Sequence, residues 1–219
     1  MRKITPKAVV QFVSLTGLEL TVSIGFSFGA VGPYVPGAYR GVVVIALSVF
    51  LFYALAIFWF RLLQKAAPVP IGDIPVQSAG EHRAFLYMLH FILLFNPLLF
   101  SRLLPFPLLG LLLKLLGVKM GKDSYCAGIV MDPQFVNIGD NSLIGNDAML
   151  IAHVIEGDNL SFQPIYIGNN VTVGARAIIM AGVTIEDGAI VGVQAVVRKG
   201  SHIKRDETWV GCPARRVDF

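Results

Sequence analysis

Hydrophobic and polar positions along the last third of the chain recur with a period of six. Every sixth residue from Ile167 is aliphatic: Ile167, Val173, Ile179, Ile185, Val191, Val197 and Ile203. A small or β-branched residue follows four positions after each of the first six, as Val171, Ala177, Val183, Ala189, Ala195 and Ser201. The same register reaches upstream through Met120, Cys126, Ile138, Ile144 and Leu150, with Asp132 as the exception. A helix repeats at 3.6 residues and an ordinary strand at two, so neither explains the pattern. It predicts a parallel β-helix in which each hexad is a short strand plus a turn, with about five coils between Met120 and Thr208. The beat slips once: after Leu150 it resumes only at Ile167, and Glu156 cannot serve as a core position. Val154 to Pro164 is therefore expected to leave the coil as a loop.

The first half has a different pattern. Residues 8–31 are almost continuously apolar, interrupted by Glu19, and residues 41–63 form a second apolar run broken only by Arg61. Each reaches the roughly 20 residues a helix needs to cross a bilayer. The Gly/Pro-rich stretch Gly32 to Gly37 joins them as a turn. The first run is too long for a cleaved signal peptide and no small-residue cleavage site follows it. Arg2, Lys3 and Lys7 precede the first run, Arg61 and Lys65 close the second, and only Arg40 stands between. Positive ends face the cytoplasm, which puts both ends of this hairpin inside. Residues 84–116 are apolar again but interrupted by Asn96-Pro97; they read either as a third crossing or as two short interfacial helices bent there.

Composition agrees: 55% of residues are hydrophobic and 15% charged, outside the usual range for a soluble domain. The net charge of +4 is scattered; no basic stripe interleaved with aromatics suggests nucleic acid. Cys126 and Cys212 give no disulfide framework, as in a reducing compartment.

Candidate chemistry gathers at the slip. His153 stands where side chains should point away from the coil interior, at the start of the expected loop. It reads as an exposed histidine or as a general base, since an imidazole titrates near neutral pH. Glu156 could hold its second ring nitrogen. No Ser or Cys beside His153 forms a nucleophile motif, which favours direct transfer over an acyl-enzyme. Glu19, costly within a membrane helix, implies a polar partner or cavity. His82 and His202 read as surface residues and His90 as interfacial.

Three segments resemble the hexapeptide-repeat acyltransferases: Ile167-Gly-Asn-Asn-Val-Thr-Val-Gly174, Ile179-Met-Ala-Gly-Val-Thr-Ile-Glu-Asp-Gly188 and Gly211-Cys-Pro-Ala-Arg215. The resemblance covers roughly residues 118–217 and implies a mostly β fold: a left-handed parallel β-helix preceded by an α-helical transmembrane hairpin and interfacial helices. It also implies a homotrimer, an acetyl-CoA donor, no metal, and a catalytic histidine on a loop, which singles out His153. By the same resemblance Ala175 and Val193 would touch the pantetheine arm, while Arg198, Lys199 and Arg215 would reach the nucleotide. Trp209 would cap the last coil or flank the adenine. A cytosolic thioester donor favours interfacial helices for 84–116 and a multi-pass protein of the inner membrane with its catalytic domain in the cytoplasm. The chain then divides into a transmembrane hairpin (1–66), an interfacial segment (67–117) and the β-helix (118–219). Membrane lipids, and a lipid-linked acceptor among other acceptors, are the implied partners.

The layout also resembles, more weakly, the membrane-embedded C-terminal part of poly-lysine-type peptide synthetases, which keeps open a carrier-bound aminoacyl donor. A zinc enzyme of the γ-carbonic-anhydrase type would need three histidines, and the repeat region offers only His153 and His202. A non-enzymatic trimeric scaffold is the remaining alternative.

Overall fold

The structure, a computed structural model, describes residues 2–101 and 103–218. The C-terminal half is a parallel β-helix of three sheets. Its first sheet stacks Met120, Ile138, Ile167, Ile185 and Ile203 in register. The second stacks Cys126, Ile144, Val173, Val191 and Trp209, and the third Val130, Leu150, Ile179 and Val197. Apart from Met120 and Trp209, which are partly buried, these side chains form the buried core, as the period of six predicts. The small residues of the second column, such as Ala177, Ala189 and Ala195, are fully buried where the triangular interior narrows. The turns repeat too: Asn170, Arg176, Gly182, Gly188, Gln194, Gly200 and Asp206 all have positive φ. Gly and Asn accept that conformation at little cost.

A β-helix has open ends that need covering. At the C-terminal end a short antiparallel strand, Arg215–Val217, pairs with Thr208–Val210, and Trp209 packs on the core with its indole N–H donated to Glu207 at 2.9 Å. At the N-terminal end the cover is helical. Helix α1 (Pro6–Phe26) and helix α2 (Gly37–Ala66) form an antiparallel hairpin, followed by α3 (Ala79–His90), α4 (Asn96–Phe100) and α5 (Phe106–Leu116). Phe60 of α2, Tyr87 of α3 and Leu113 and Leu116 of α5 join the same core as the coils. α5 ends at Gly117 (φ 128°), where both Gly117 and Val118 donate to Leu113 O and redirect the chain into the first coil.

Three helical stretches are long and apolar enough to cross a membrane: Pro6–Tyr34, Gly37–Ala66 and Ala79–Phe100. The third runs through Asn96-Pro97 as one helical stretch, where the sequence left open a third crossing or two shorter helices. A π-turn at Phe91–Phe95, with Asn96 N–H donated to Phe91 O, carries the helix past the proline, and the chain turns only after Phe100. Its inner stripe, Ala84, Tyr87, Phe91 and Phe95, is buried against the β-helix. Tyr87 meets Phe135 and Phe162 edge-on, while Leu99 and Phe100 lie beside Ala127–Ile129 at another corner of the first coils. This helix therefore lies across the end of the β-helix. Both open ends of the α1–α2 hairpin meet the same face: Arg2 donates to Asp158 O and Ile74 O, each at 2.7 Å, and Gln64 to Leu116 O.

Candidate active site

Two breaks in the repeat build the site. Consecutive coils are normally offset by 18 residues, but Val130 aligns with Leu150. The extra residues form the turn Pro133–Phe135 and place Asp132 inside, 2% exposed. The second break lengthens one coil to a 29-residue offset. The surplus is not an irregular loop. It folds as a β-hairpin, His153–Glu156 against Asn159–Phe162, and Gly72–Asp73 adds a third antiparallel strand.

These breaks meet at His153. Its Nδ1 lies 2.7 Å from Asp132 Oδ2, which also accepts the backbone N–H groups of Ala152 (3.0 Å) and His153 (3.1 Å). An ionised carboxylate only accepts, so Nδ1 carries the proton and Nε2 holds the lone pair. Among the described residues Nε2 has no hydrogen-bond partner, and the side chain is 22% exposed. The ring sits 6.1 Å from that of Phe162, which is stacked on Phe135. Burial pushes the imidazole pKa down, but the hydrogen bond and charge of Asp132 outweigh it, leaving the value above 6.5.

Glu156, expected to hold this ring, does not. Side chains alternate along a strand, so residues three apart face opposite sides, and Glu156 accepts instead from Lys199 Nζ at 2.6 Å in the solvent. Asp132, visible in the sequence as the one polar intruder in the hexad register, is the residue that reading missed. Cys126 is buried and its thiol is pushed up to about 11 by burial, which leaves it no thiolate character. Among the described residues no group of three metal-ligating side chains gathers. His202 pairs with Glu186 on the surface.

Ala175 and Val193 stack one coil apart on the corner between the second and third sheets, where Gln194 N–H donates to Ala175 O at 3.0 Å. Glycines underlie them: a Cβ on Gly145 or Gly174 would come within 2.6 Å of Ala175 N or 2.5 Å of Val193 N. His153 lies past the opposite edge of the third sheet, so one chain does not bring the two corners together. Arg198 and Arg215 are exposed and make no ion pair among the described residues.

Comparison with known proteins places the repeat. Residues 164–199 match the family described as bacterial transferase hexapeptide (six repeats). The matched residues lie in the regular coils of the C-terminal half. The chain is 30% identical over 109 residues to delta-poly-L-ornithine synthetase of Acinetobacter baumannii (strain AB307-0294), covering 49% of this chain and 8% of that one. It is 38% identical over 96 residues to galactoside O-acetyltransferase of Escherichia coli (strain K12), covering 40% and 46%. The chain thus spans less than half the length of either curated relative. A solved galactoside acetyltransferase in complex with coenzyme A superposes at a TM-score of 0.42, with 22% identity over 50% of this chain and 68% of that one.

Proposed function

We propose that the protein is a membrane-anchored acyltransferase that moves an acetyl group from acetyl-CoA to a hydroxyl or amine of a membrane-associated acceptor, with His153 as general base. The observation that carries this reading is the buried Asp132 fixing the His153 tautomer, so that Nε2 is left as the basic nitrogen of a partly exposed ring. Nε2 takes the acceptor's proton as its oxygen or nitrogen attacks, Asp132 stabilises the imidazolium, and the same proton returns to the departing sulfur. The thioester supplies the electrophilic carbonyl. Ala175 and Val193 offer a narrow strip of exposed backbone for a pantetheine arm, and Arg198, Lys199 and Arg215 offer cations for phosphates. Lys199 would exchange Glu156 for that role.

The outer faces support a trimeric assembly. Ile129, Met149, Ile178 and Val196 point outward from the third sheet and are only half-buried, an aliphatic stripe on a flat surface. A homotrimer covering this stripe would bring the Ala175–Val193 corner of one copy towards the His153 corner of the next. We read residues 1–66 as the spanning hairpin and 67–117 as interfacial, because α3 and α4 lie across the β-helix end at the level where α1 and α2 begin and end. By the positive-inside rule the basic residues there favour a cytoplasmic β-helix at the inner membrane.

Calorimetry with acetyl-CoA on the detergent-solubilised protein tests the donor: saturable binding is expected, and its absence overturns the reading. The likeness to a poly-ornithine synthetase over 49% of the chain favours a second reading, amide formation from a carrier-bound aminoacyl thioester. Binding of an aminoacyl-pantetheine in preference to acetyl-CoA would select it.

A further inference from the structure

Beside the His153 hairpin lies an apolar groove of about 360 Å³, walled by Phe85, Met88 and Leu89 of α3, by Ile155 and Leu160 of the hairpin, and by Ile4. Cross-strand pairing puts His153 opposite Phe162 and Ile155 opposite Leu160. All four side chains share one face of the hairpin, where successive rungs are about 7 Å apart. The groove therefore begins one rung from the imidazole. Its other end opens where Ile4 and Leu93, each about half exposed, lie next to the start of α1 and the outer side of the interfacial helix.

We propose that this groove holds the hydrocarbon chain of a membrane-resident acceptor, whose hydroxyl or amine then sits at Nε2 of His153. The inference rests on the acyl-transfer reading above. Three observations select a chain over a polar ligand. The walls are aliphatic and aromatic side chains. Arg2, the one cation at the rim among the described residues, has its guanidinium donors committed to Asp158 O, Ile74 O and Glu81. The mouth lies beside Ile4 at the start of α1, which on the reading above is at the membrane surface, so a chain would enter without crossing water. The donor strip at Ala175 and Val193 lies at a different corner, which assigns the groove to the acceptor.

The test uses full-length protein in nanodiscs containing phosphatidylcholine with a diazirine on its acyl chain, and membranes supplied with radiolabelled acetyl-CoA. Photoadducts are expected on Leu89, Ile155 or Leu160, and radiolabel in the organic-extractable fraction. Ile155→Trp fills the groove from a position that is 50% exposed, so the fold should tolerate it. It should abolish those adducts, spare the ones on the outer faces of α1 and α2, and lower organic-phase labelling by about 10²-fold, the penalty of a misplaced reactant. Acetyl-CoA binding by calorimetry should be unchanged. Adducts only on α1 and α2, or label only in water-soluble products while the donor still binds, overturn the groove. Failure of the wild type to bind the donor overturns the acyl-transfer reading instead.

Discussion

From Ile167 to Ile203 the coils repeat without interruption and bury no polar side chain, whereas between Asp132 and Phe162 the repeat breaks twice and buries a carboxylate. The two regions share one scaffold and differ in what they can do. In an unbroken repeat each residue meets the same surroundings as its counterpart one coil away, so no position acquires chemistry its neighbours lack. A break removes that equivalence. The two-residue surplus turns Asp132 inward, the hairpin carries His153 out past the sheet edge, and the backbone N–H groups of Ala152 and His153 make the burial of the carboxylate affordable.

If that division is right, chemistry and stability should separate on mutation. His153→Ala should lower turnover by roughly 10²–10⁴-fold, the size of a general-base contribution, with donor binding unchanged and stability reduced only by the lost hydrogen bond to Asp132. Steady-state kinetics beside a thermal melt measure both; near-normal turnover in a folded variant would leave His153 an ordinary surface residue. Ile179→Ala should do the opposite. Ile179 is fully buried in the regular region, and truncating such a side chain costs about 2–5 kcal/mol. Turnover per folded molecule should hold. A denaturant titration reads the first quantity, and a large fall in the second would show that the two regions are coupled after all.

Asp132→Asn sharpens the comparison through pH. Turnover requires neutral His153, so it should rise with pH through a value above 6.5, because Asp132 raises the imidazole pKa. The amide removes the charge, and the acid limb of kcat/KM should move to lower pH. Turnover at its plateau should fall roughly 10²-fold, the lower end of a general-base effect, since an amide no longer enforces the Nδ1–H tautomer. Stability carries the same linkage. A raised folded-state pKa means the Asp132–His153 pair contributes fully below 6.5 and loses that contribution as pH rises through the folded value. An unshifted acid limb in the variant would mean that Asp132 does not set the titration.

Much of this was legible from spacing alone. The period of six located the inward residues of the regular coils, and the slip after Leu150 located the insertion. The partner of His153 was harder, because Asp132 lies 21 residues away in sequence and is brought close only by the coil closing on itself. Its signal was the lone acidic residue at a core register position, a burial cost that nothing local offset. Glu156 drew attention by proximity in sequence, which strand alternation defeats. The path of residues 84–116 was illegible for another reason. A proline usually ends a helix, and whether a π-turn absorbs it depends on what the inner stripe packs against.

The smallest effect tests the point about Glu156. Its carboxylate and the Lys199 ammonium meet with both side chains more than half exposed, and an exposed ion pair contributes at most about 1 kcal/mol. Glu156→Ala should therefore change turnover by less than about fivefold, the equivalent of that energy, and leave the acid limb of the pH profile in place. A modest rise in acetyl-CoA affinity is expected, because Lys199 loses its competitor for phosphate. The contrast with Asp132→Asn is the discriminating measurement. Of the two carboxylates compared, only the buried one, fixed by the break in the repeat, should move the titration of His153. A Glu156→Ala acid limb displaced as far as that of Asp132→Asn would mean that the hairpin rearranges on substrate binding to bring Glu156 to the imidazole.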